Sequence, residues 1–511
     1  MTGLRRRTGP RVAAAVVMTG AIALACGPPG RPGVVTVAIA NSPTNLDPRV
    51  GSDEASQKVH QLLYDTLLRI DEDLRVVPGL ATQIDRPDER TYVAHLRDDA
   101  RFHDGRPLTA ADVVHTFRSF LDPEFVSPRK GAYRLLESVE ALDVRTVRFR
   151  LREPFGSFDV NLVMGIVPDG AGPELARAPV GTGPYRLVSF VPDDRVVLAP
   201  NPDYFEGPPR NRGIELKVVP DDTMRGLELR KGTVDIVVND LAPDIVHQLE
   251  QEGRLRTKTA PGTDFAYLGL NLRDPILRDR RVRHALGFGI DRQAIVDYLR
   301  RGLATPAVGI VPEASWAFEP DVFRFHHDPA LARRLLDEAG FLDPDGDGPA
   351  PRFRLSLQTS TSEVYRVQAA VIQHDLREIG IEVDVRSHEF ATLYADVLRG
   401  QFQMYTLQWV GVTDPDMLRR VFHSGQVPPA GFNRGFYANP EVDRAIDAAT
   451  LATDDRTRRR LYGEAQRLIA EDAPYVPLWT KTNVAVFGPD LRGVVLSPVA
   501  AFTFLKDVFR E

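Results

Sequence analysis

One cysteine stands in 511 residues, Cys26, at the end of an apolar run, so everything after it folds without an internal disulfide or a multi-cysteine metal site. The body must be held by its core. Hydrophobic residues make up 43% of the chain and charged residues 26%, close to globular averages, which argues against collagen-like, disordered and multi-span membrane classes. At roughly 150 residues per domain, a chain of this length suits about three or four lobes.

Residues 1–25 carry Arg5, Arg6, Arg7 and Arg11, followed by an apolar stretch from Val12 to Ala25 broken only by Thr19 and Gly20. This layout reads as a signal peptide, and the stretch is shorter than the ~20 residues a helix needs to cross a bilayer. It ends in Ala23-Leu24-Ala25-Cys26, which resembles the bacterial lipobox, and Cys26 is expected to take a diacylglyceryl group. The tether GPPGRPG follows. Two or three acyl chains suffice for stable anchoring, so residues 26–33 are expected to hang the protein from an outer leaflet. The alternatives are an ordinary signal peptide cut nearby or a buried cysteine. The twin arginines lack the surroundings of a Tat signal, which leaves the export route open. Formal charge is −6 overall; residues 1–25 hold four arginines and no acid, so what remains carries −10 and repels nucleic acid.

The body reads as α/β. A strand is expected at Val34–Ala40, a helix over Glu54–Ile70, and strands near Tyr92–Leu96 and Phe102. Thr109-Ala110-Ala111-Asp112 is a capping-box pattern opening a helix through Phe117. Residues 141–151 alternate like a single strand, and further strands are expected at 186–190, 195–199 and 214–219. Gly232 closes a helix near Met224–Arg230. From about Tyr267 longer helices take over: 283–300; 329–339 with Asp328 as N-cap; 363–379; 390–399; and 441–470. No fixed-period repeat is present.

Local constellations supply no chemistry. Asp343-Pro344-Asp345-Gly346-Asp347-Gly348 starts like a calcium loop, but Arg354 stands at the twelfth position, so a polar turn is expected. His326-His327 reads as a pair of surface histidines. There is no G-x-S-x-G, P-loop, H-E-x-x-H or G-x-G-x-x-G after a strand, so no cofactor and no metal are expected. Gln408-Trp409-Val410-Gly411-Val412-Thr413-Asp414-Pro415-Asp416 differs: a large aromatic beside a flexible glycine and an Asp-Pro turn can line a pocket, or Trp409 can simply be core.

Several segments together resemble one family, the extracytoplasmic solute-binding proteins of ABC transporters of the oligopeptide, dipeptide and nickel type. They are LYDTLLRIDEDLRVVPGLA (63–81), TYVAHLRDDARFHDGRPLTAADVVHTF (91–117), PVGTGPYRLVSF (179–190), NPDYFEG (201–207), LNLRDPILRDRRVRHALGFGIDRQAIV (270–296) and DPALARRLLDEAGFLDPDGDG (328–348). The W-x-G-x-x-DPD loop, YANPEVDRAID (437–447) and EDAPYVPLW (471–479) complete the set, in family order.

The resemblance implies a bilobal α/β fold of the large, three-subdomain periplasmic-binding type with two hinge strands. Lobe I would comprise 34–50, 176–266 and 482–511, an inserted subdomain 51–175, and lobe III 267–481, with hinge strands near Tyr267–Leu272 and Asn483–Phe487. It implies a monomeric receptor, not an enzyme, that encloses a small solute between its lobes and presents it to ABC permease subunits. An exported lipid-anchored hydrolase and a receptor for signalling are the alternatives. Implied pocket residues are Asn41, Trp409, Val412, Thr413, Asp414, Asn433, Arg434 and Tyr437, with Trp316 further off. Dipeptide-binding members carry in this loop an aspartate for the ligand's α-amino group; Val412 stands at that place, and Asp414 either substitutes or shapes the turn. A buried ammonium without a carboxylate partner is costly, which counts against free-amine peptides as ligands; modified peptides, sugars, metal chelates and other solutes of the family remain open.

Overall fold

The structure is a computed structural model that describes residues 33–346, 348–452 and 454–511. Cys26 and the expected signal peptide lie outside them. Two strands organise the molecule. Arg256–Leu270 and Tyr475–Phe487 pair antiparallel and run through both halves of one sheet. In order, that sheet holds Ile381–His388, Phe353–Ser360, Met404–Trp409, Arg256–Leu270, Tyr475–Phe487, Ile236–Val238, Val35–Ile39, Ile214–Val218, Arg195–Pro200 and Tyr185–Val191. The short strand Ala304–Pro306 joins Tyr475–Phe487 off this path.

The molecule is bilobal because the pairing of the two long strands breaks in the middle. Pro261 pairs with Thr482, but the next partners are Phe265 and Thr480, so more residues bridge the gap on one strand than on the other. Pro261 has no N–H to offer a ladder. Gly262 approaches so closely that a Cβ there would lie 2.5 Å from the Lys481 carbonyl oxygen. The pairing is irregular at 261–265 opposite 480–482, and again between Ala266 and Tyr267 opposite Trp479 and Pro477, so it reaches the start of the expected Tyr267–Leu272 segment and lies just before Asn483–Phe487. Beyond that point Leu268 is fully buried and paired on both sides, with Thr406 and Val476, so the strand is held there.

Beyond the break, strand periodicity divides the second lobe's core in two. Ala266, Leu268 and Leu270 face a core built with Leu286, Ile372 and Leu376, while Phe265 and Tyr267 face one built with Leu393, Val442 and Ile446. In the first lobe, Val35, Val37, Ile39 and Ile214 pack on one side of the sheet. Leu229, Val246 and Leu249 cover the other. A separate core occupies residues 67–166, where the strands Ala81–Asp88, Thr91–Leu96, Thr146–Leu151 and Leu136–Ala141 form their own sheet under the helix Ala110–Arg118. Phe117 meets Phe149 edge-on at 5.0 Å, a pair contributing about 0.5–1.5 kcal/mol beyond area burial.

Local signals were obeyed where they were strong. Thr109 N–H donates to Asp112 at 2.8 Å, and Leu331 N–H donates to the Asp328 carboxylate at 2.9 Å. Gly232 closes its helix in the left-handed region, φ +69°. Four expected elements divide. The helix from Glu54 ends at Leu63, because Tyr64 turns extended and Leu68–Ile70 pairs as a strand. Residues 141–151 belong to a hairpin, Leu136–Ala141 and Thr146–Leu151, whose turn leaves Leu142 and Val144 exposed. Residues 441–470 form two helices, Pro440–Leu451 and Asp455–Asp472, the second capped by Asp454. The helix expected over 283–300 breaks at Ile290, between Arg280–Gly289 and a shorter helical stretch from Arg292.

Three of the motifs prove to be one staple. The Asp65 carboxylate accepts from Thr182 at 2.8 Å and from Tyr204 at 3.0 Å, joining LYD, GTG and NPDY. Burial raises its pKa to about 6. Gly181 beside it has no room for a side chain, since a Cβ would lie 1.9 Å from the Leu63 carbonyl oxygen. Gly181→Ala is therefore expected to cost at least about 1–3 kcal/mol, read as a lower urea midpoint with an unchanged slope. A neutral result contradicts the packing described.

Candidate ligand-binding cleft

The register fixes which edge of each lobe faces the break. In the second lobe Arg256–Leu270 runs away from it, so its antiparallel neighbour Met404–Trp409 runs toward it. Phe353–Ser360 and Ile381–His388 follow in parallel. In the first lobe Tyr475–Phe487 runs away, Ile236–Val238 runs back, and Val35–Ile39 and Ile214–Val218 lie parallel to it. Both halves therefore aim the carboxyl ends of their parallel strands at one gap, the edge where open α/β sheets bind ligands.

On the second lobe this edge is apolar. Val410 is 77% exposed and Phe390 55%, and Val364 and Val367 are exposed on the neighbouring helix. Trp409 stacks near Tyr267 at 6.3 Å and meets Phe432 edge-on at 5.4 Å. The loop after it is tied to the strand break: the Asp264 carboxylate accepts from Gln408 Nε2 at 3.1 Å and from Gly411 N–H at 3.0 Å, and Val412 N–H donates to the Thr263 carbonyl at 3.1 Å. Movement at 261–265 thus moves the loop. Opposite, the edge of the first lobe is charged: Lys58 Nζ lies 2.9 Å from Glu54 and 3.1 Å from Asp240.

The expected pocket residues separate into groups. Asn41 is exposed at the end of Val35–Ile39. Trp409, Thr413 and Asp414 lie half-buried along the loop. Val412 is 2% exposed and packs in the core with Leu418 and Phe422, so its side chain does not face the gap. Asn433 holds its own turn, donating to the Tyr437 carbonyl at 2.7 Å and accepting the Tyr437 N–H at 2.9 Å. The Tyr437 hydroxyl goes to Asp472 at 2.6 Å. Arg434, between them, instead turns toward Trp409, whose ring lies 4.6 Å from its guanidinium carbon. Trp316 links the inserted segment to the second lobe, its N–H donating to the Asp73 carbonyl at 3.0 Å. Gly156 N–H to the Thr450 carbonyl at 3.1 Å and Arg458 to Ser157 Oγ at 3.1 Å continue that contact.

Asp264 and Lys58 were not singled out in the sequence, because Gln408, Gly411 and Asp240, which hold them, lie far along the chain. No group of three or more His, Cys, Asp or Glu able to hold a metal occurs among the described residues. His326 and His327 face different acids, Asp328 at 3.8 Å and Asp291 at 3.5 Å.

Asp414 accepts Asp416 N–H at 2.7 Å and so does shape the turn. Its neighbour Asp416 takes Arg419 through two bonds of 2.8 Å, whereas no cation lies within 4 Å of Asp414 among the described residues. Burial first, then the charges of Asp416 and Asp159, raise the Asp414 pKa to about 7, against a weaker pull from Arg458. A raised folded pKa stabilises below that value and is lost as pH rises through it. The Tm of the wild type minus that of Asp414→Asn is therefore expected to grow as pH falls from 8 to 5. A difference independent of pH contradicts the assignment.

Comparison with known proteins agrees with this geometry. Residues 75–427 match the model of bacterial extracellular solute-binding proteins, family 5. The oligopeptide-binding protein AppA of Bacillus subtilis is 30% identical, over 92% of this chain and 90% of its own. The glutathione-binding protein GsiB of Salmonella typhi is also 30% identical, over 92% and 93%. Among solved structures, AppA from Bacillus subtilis in complex with a nonapeptide superimposes with TM-score 0.74 at 27% identity, covering 94% of this chain and all of that one. HbpA2 from Haemophilus parasuis gives 0.83 at 25%, over 94% and 100%. With a bilobal α/β body, paired strands crossing between the halves and a binding edge on each, the chain belongs to family 5 of the bacterial extracellular solute-binding proteins, the receptors of ABC importers.

Proposed function

We propose that this chain is an exported receptor, anchored through lipid on Cys26, that captures a peptide or peptide-like solute between its lobes and hands it unchanged to an ABC permease. The observation that carries this reading is the convergence of carboxyl-terminal strand ends from both lobes on one gap. A division into lobe I (34–50, 176–266 and 482–511), an insert (51–175) and lobe III (267–481) agrees with the separate apolar cores in number, but the insert is better drawn at about 67–166, because Ala55, Val59, Leu62, Leu63, Val167 and Leu175 pack in the first lobe's core. Relatives that bind oligopeptides and glutathione favour a peptide-like ligand.

In this mechanism the lobes open at 261–265 and 480–482. A solute touching both edges binds the closed form better, and only that difference in affinity shifts the population. Trp409 gives the solute a flat wall, with Thr413, Asp414, Arg434 and Asn41 at its margin. The interior of each lobe stays packed, so closure is a rotation of two rigid bodies.

The test is incubation of the mature protein with peptides, oligosaccharides and nickel chelates, followed by thermal shift and mass spectrometry. One class is expected to raise Tm at one molecule per chain and to be recovered intact. Trp409→Ala is expected to weaken it roughly tenfold or more while the fold persists. Conversion of the solute to a product overturns the reading in favour of a hydrolase.

A further inference from the structure

Six arginines are fully buried among the described residues: Arg49, Arg225, Arg283, Arg292, Arg434 and Arg458. Five reach a carboxylate or a backbone carbonyl. Arg49 pairs with Asp47 at 2.8 Å, and Arg458 reaches Asp455 at 3.9 Å. Arg225, Arg283 and Arg292 donate to main-chain oxygens. Arg434 alone has only neutral hydroxyls, those of Tyr267 and Tyr394, each at 3.1 Å.

A guanidinium offers five N–H donors in one plane, and two are used here. The surroundings add a further unpartnered N–H donor and neutral hydroxyls, but no carboxylate. Arg434 Nε and Trp409 Nε1 are both buried without a hydrogen-bond partner, whereas the neighbouring Tyr405 and Tyr475 hydroxyls can serve one another and Tyr267. The Tyr405 and Tyr475 rings pack against Tyr267, which carries one of the two hydroxyls that Arg434 touches. Unpaired buried donors are costly, and a buried cation without an anion is costlier still. Such clustering within a protein that otherwise pairs its buried arginines marks a place kept for an acceptor. It adjoins the binding edge through Trp409 and the half-buried Tyr394.

We propose that Arg434 and the aromatic residues around it form an oxyanion subsite that takes a carboxylate of the solute. This deepens the receptor reading and rests on it. Aromatic rings of Trp409, Tyr394 and Phe432 stand within 5.4 Å of the guanidinium carbon. The unused donors of a guanidinium lie in its plane, where a planar carboxylate makes two parallel bonds and a tetrahedral phosphate fits less well.

The test titrates the mature protein with sodium acetate, and separately with inorganic phosphate, each at ionic strength balanced by sodium chloride, and follows Tm. Acetate is expected to raise Tm, phosphate to do so less, and Arg434→Met to abolish the response. Arg434→Met is also expected to match or exceed the wild-type Tm without acetate, since an unpaired buried charge is removed; a purely structural arginine predicts a fall. Tyr394→Phe, at a half-buried position, should fold normally and blunt the acetate response. For any peptide that binds, the free acid is expected to bind roughly ten- to a hundredfold more tightly than its C-terminal amide. No acetate response beyond chloride, the same response in Arg434→Met, or equal binding of acid and amide overturns the subsite while leaving the receptor standing. Failure of every solute to bind instead overturns the receptor reading, and the acetate titration still judges Arg434.

Discussion

The backbone ladder between Arg256–Leu270 and Tyr475–Phe487 is the constraint on which the rest depends. Because both strands belong to both lobes, the two halves cannot drift apart, and because their pairing fails between Pro261 and Phe265, the halves are not one rigid sheet. A ladder hydrogen bond contributes only about 0.5–1.5 kcal/mol net, so interrupting a few of them makes bending cheap while each lobe keeps its core. The same strands set direction. Every strand that ends at the gap does so because its pairing, parallel or antiparallel, is referred back to one of these two.

Function then follows from what the strand ends carry. The first lobe brings a charged triad, Glu54, Lys58 and Asp240, which is paired within itself. The second brings an apolar rim around Trp409 together with two groups lacking an opposite charge, Asp414 and Arg434. Stability alone does not favour such an arrangement, for replacing either group by a neutral or apolar one relieves a burial cost. The receptor proposed above gives it a reason, since a solute carboxylate would supply the charge that Arg434 lacks. The asymmetry between a satisfied lobe and an unsatisfied one matches a receptor in which one side recognises and the other encloses.

Much of this was legible in the sequence, within a definite physical limit. Elements fixed by near neighbours were read correctly: Asp328 before Pro329, Thr109 with Asp112, Gly232 after its helix. Boundaries failed where the deciding contact was distant, as at Tyr64, whose extended backbone leads into a strand paired with Val76–Pro78. The family motifs pointed to a cleft, yet not to which side chains enter it. Val412 occupies the expected ligand position in the loop, but its N–H is held by Thr263 and its side chain is drawn into the core. Arg434 was named without its reason, because the hydroxyls it meets come from residues 40 and 167 positions away.

The central claim is a hinge between two rigid lobes. Spin labels placed at the exposed Val191 of the first lobe and the exposed Leu342 of the second give the separation directly by pulsed electron resonance. The account expects a broad distribution without solute that narrows to a single separation at saturation, while pairs within one lobe stay unchanged. An inter-lobe distribution identical with and without saturating solute contradicts it.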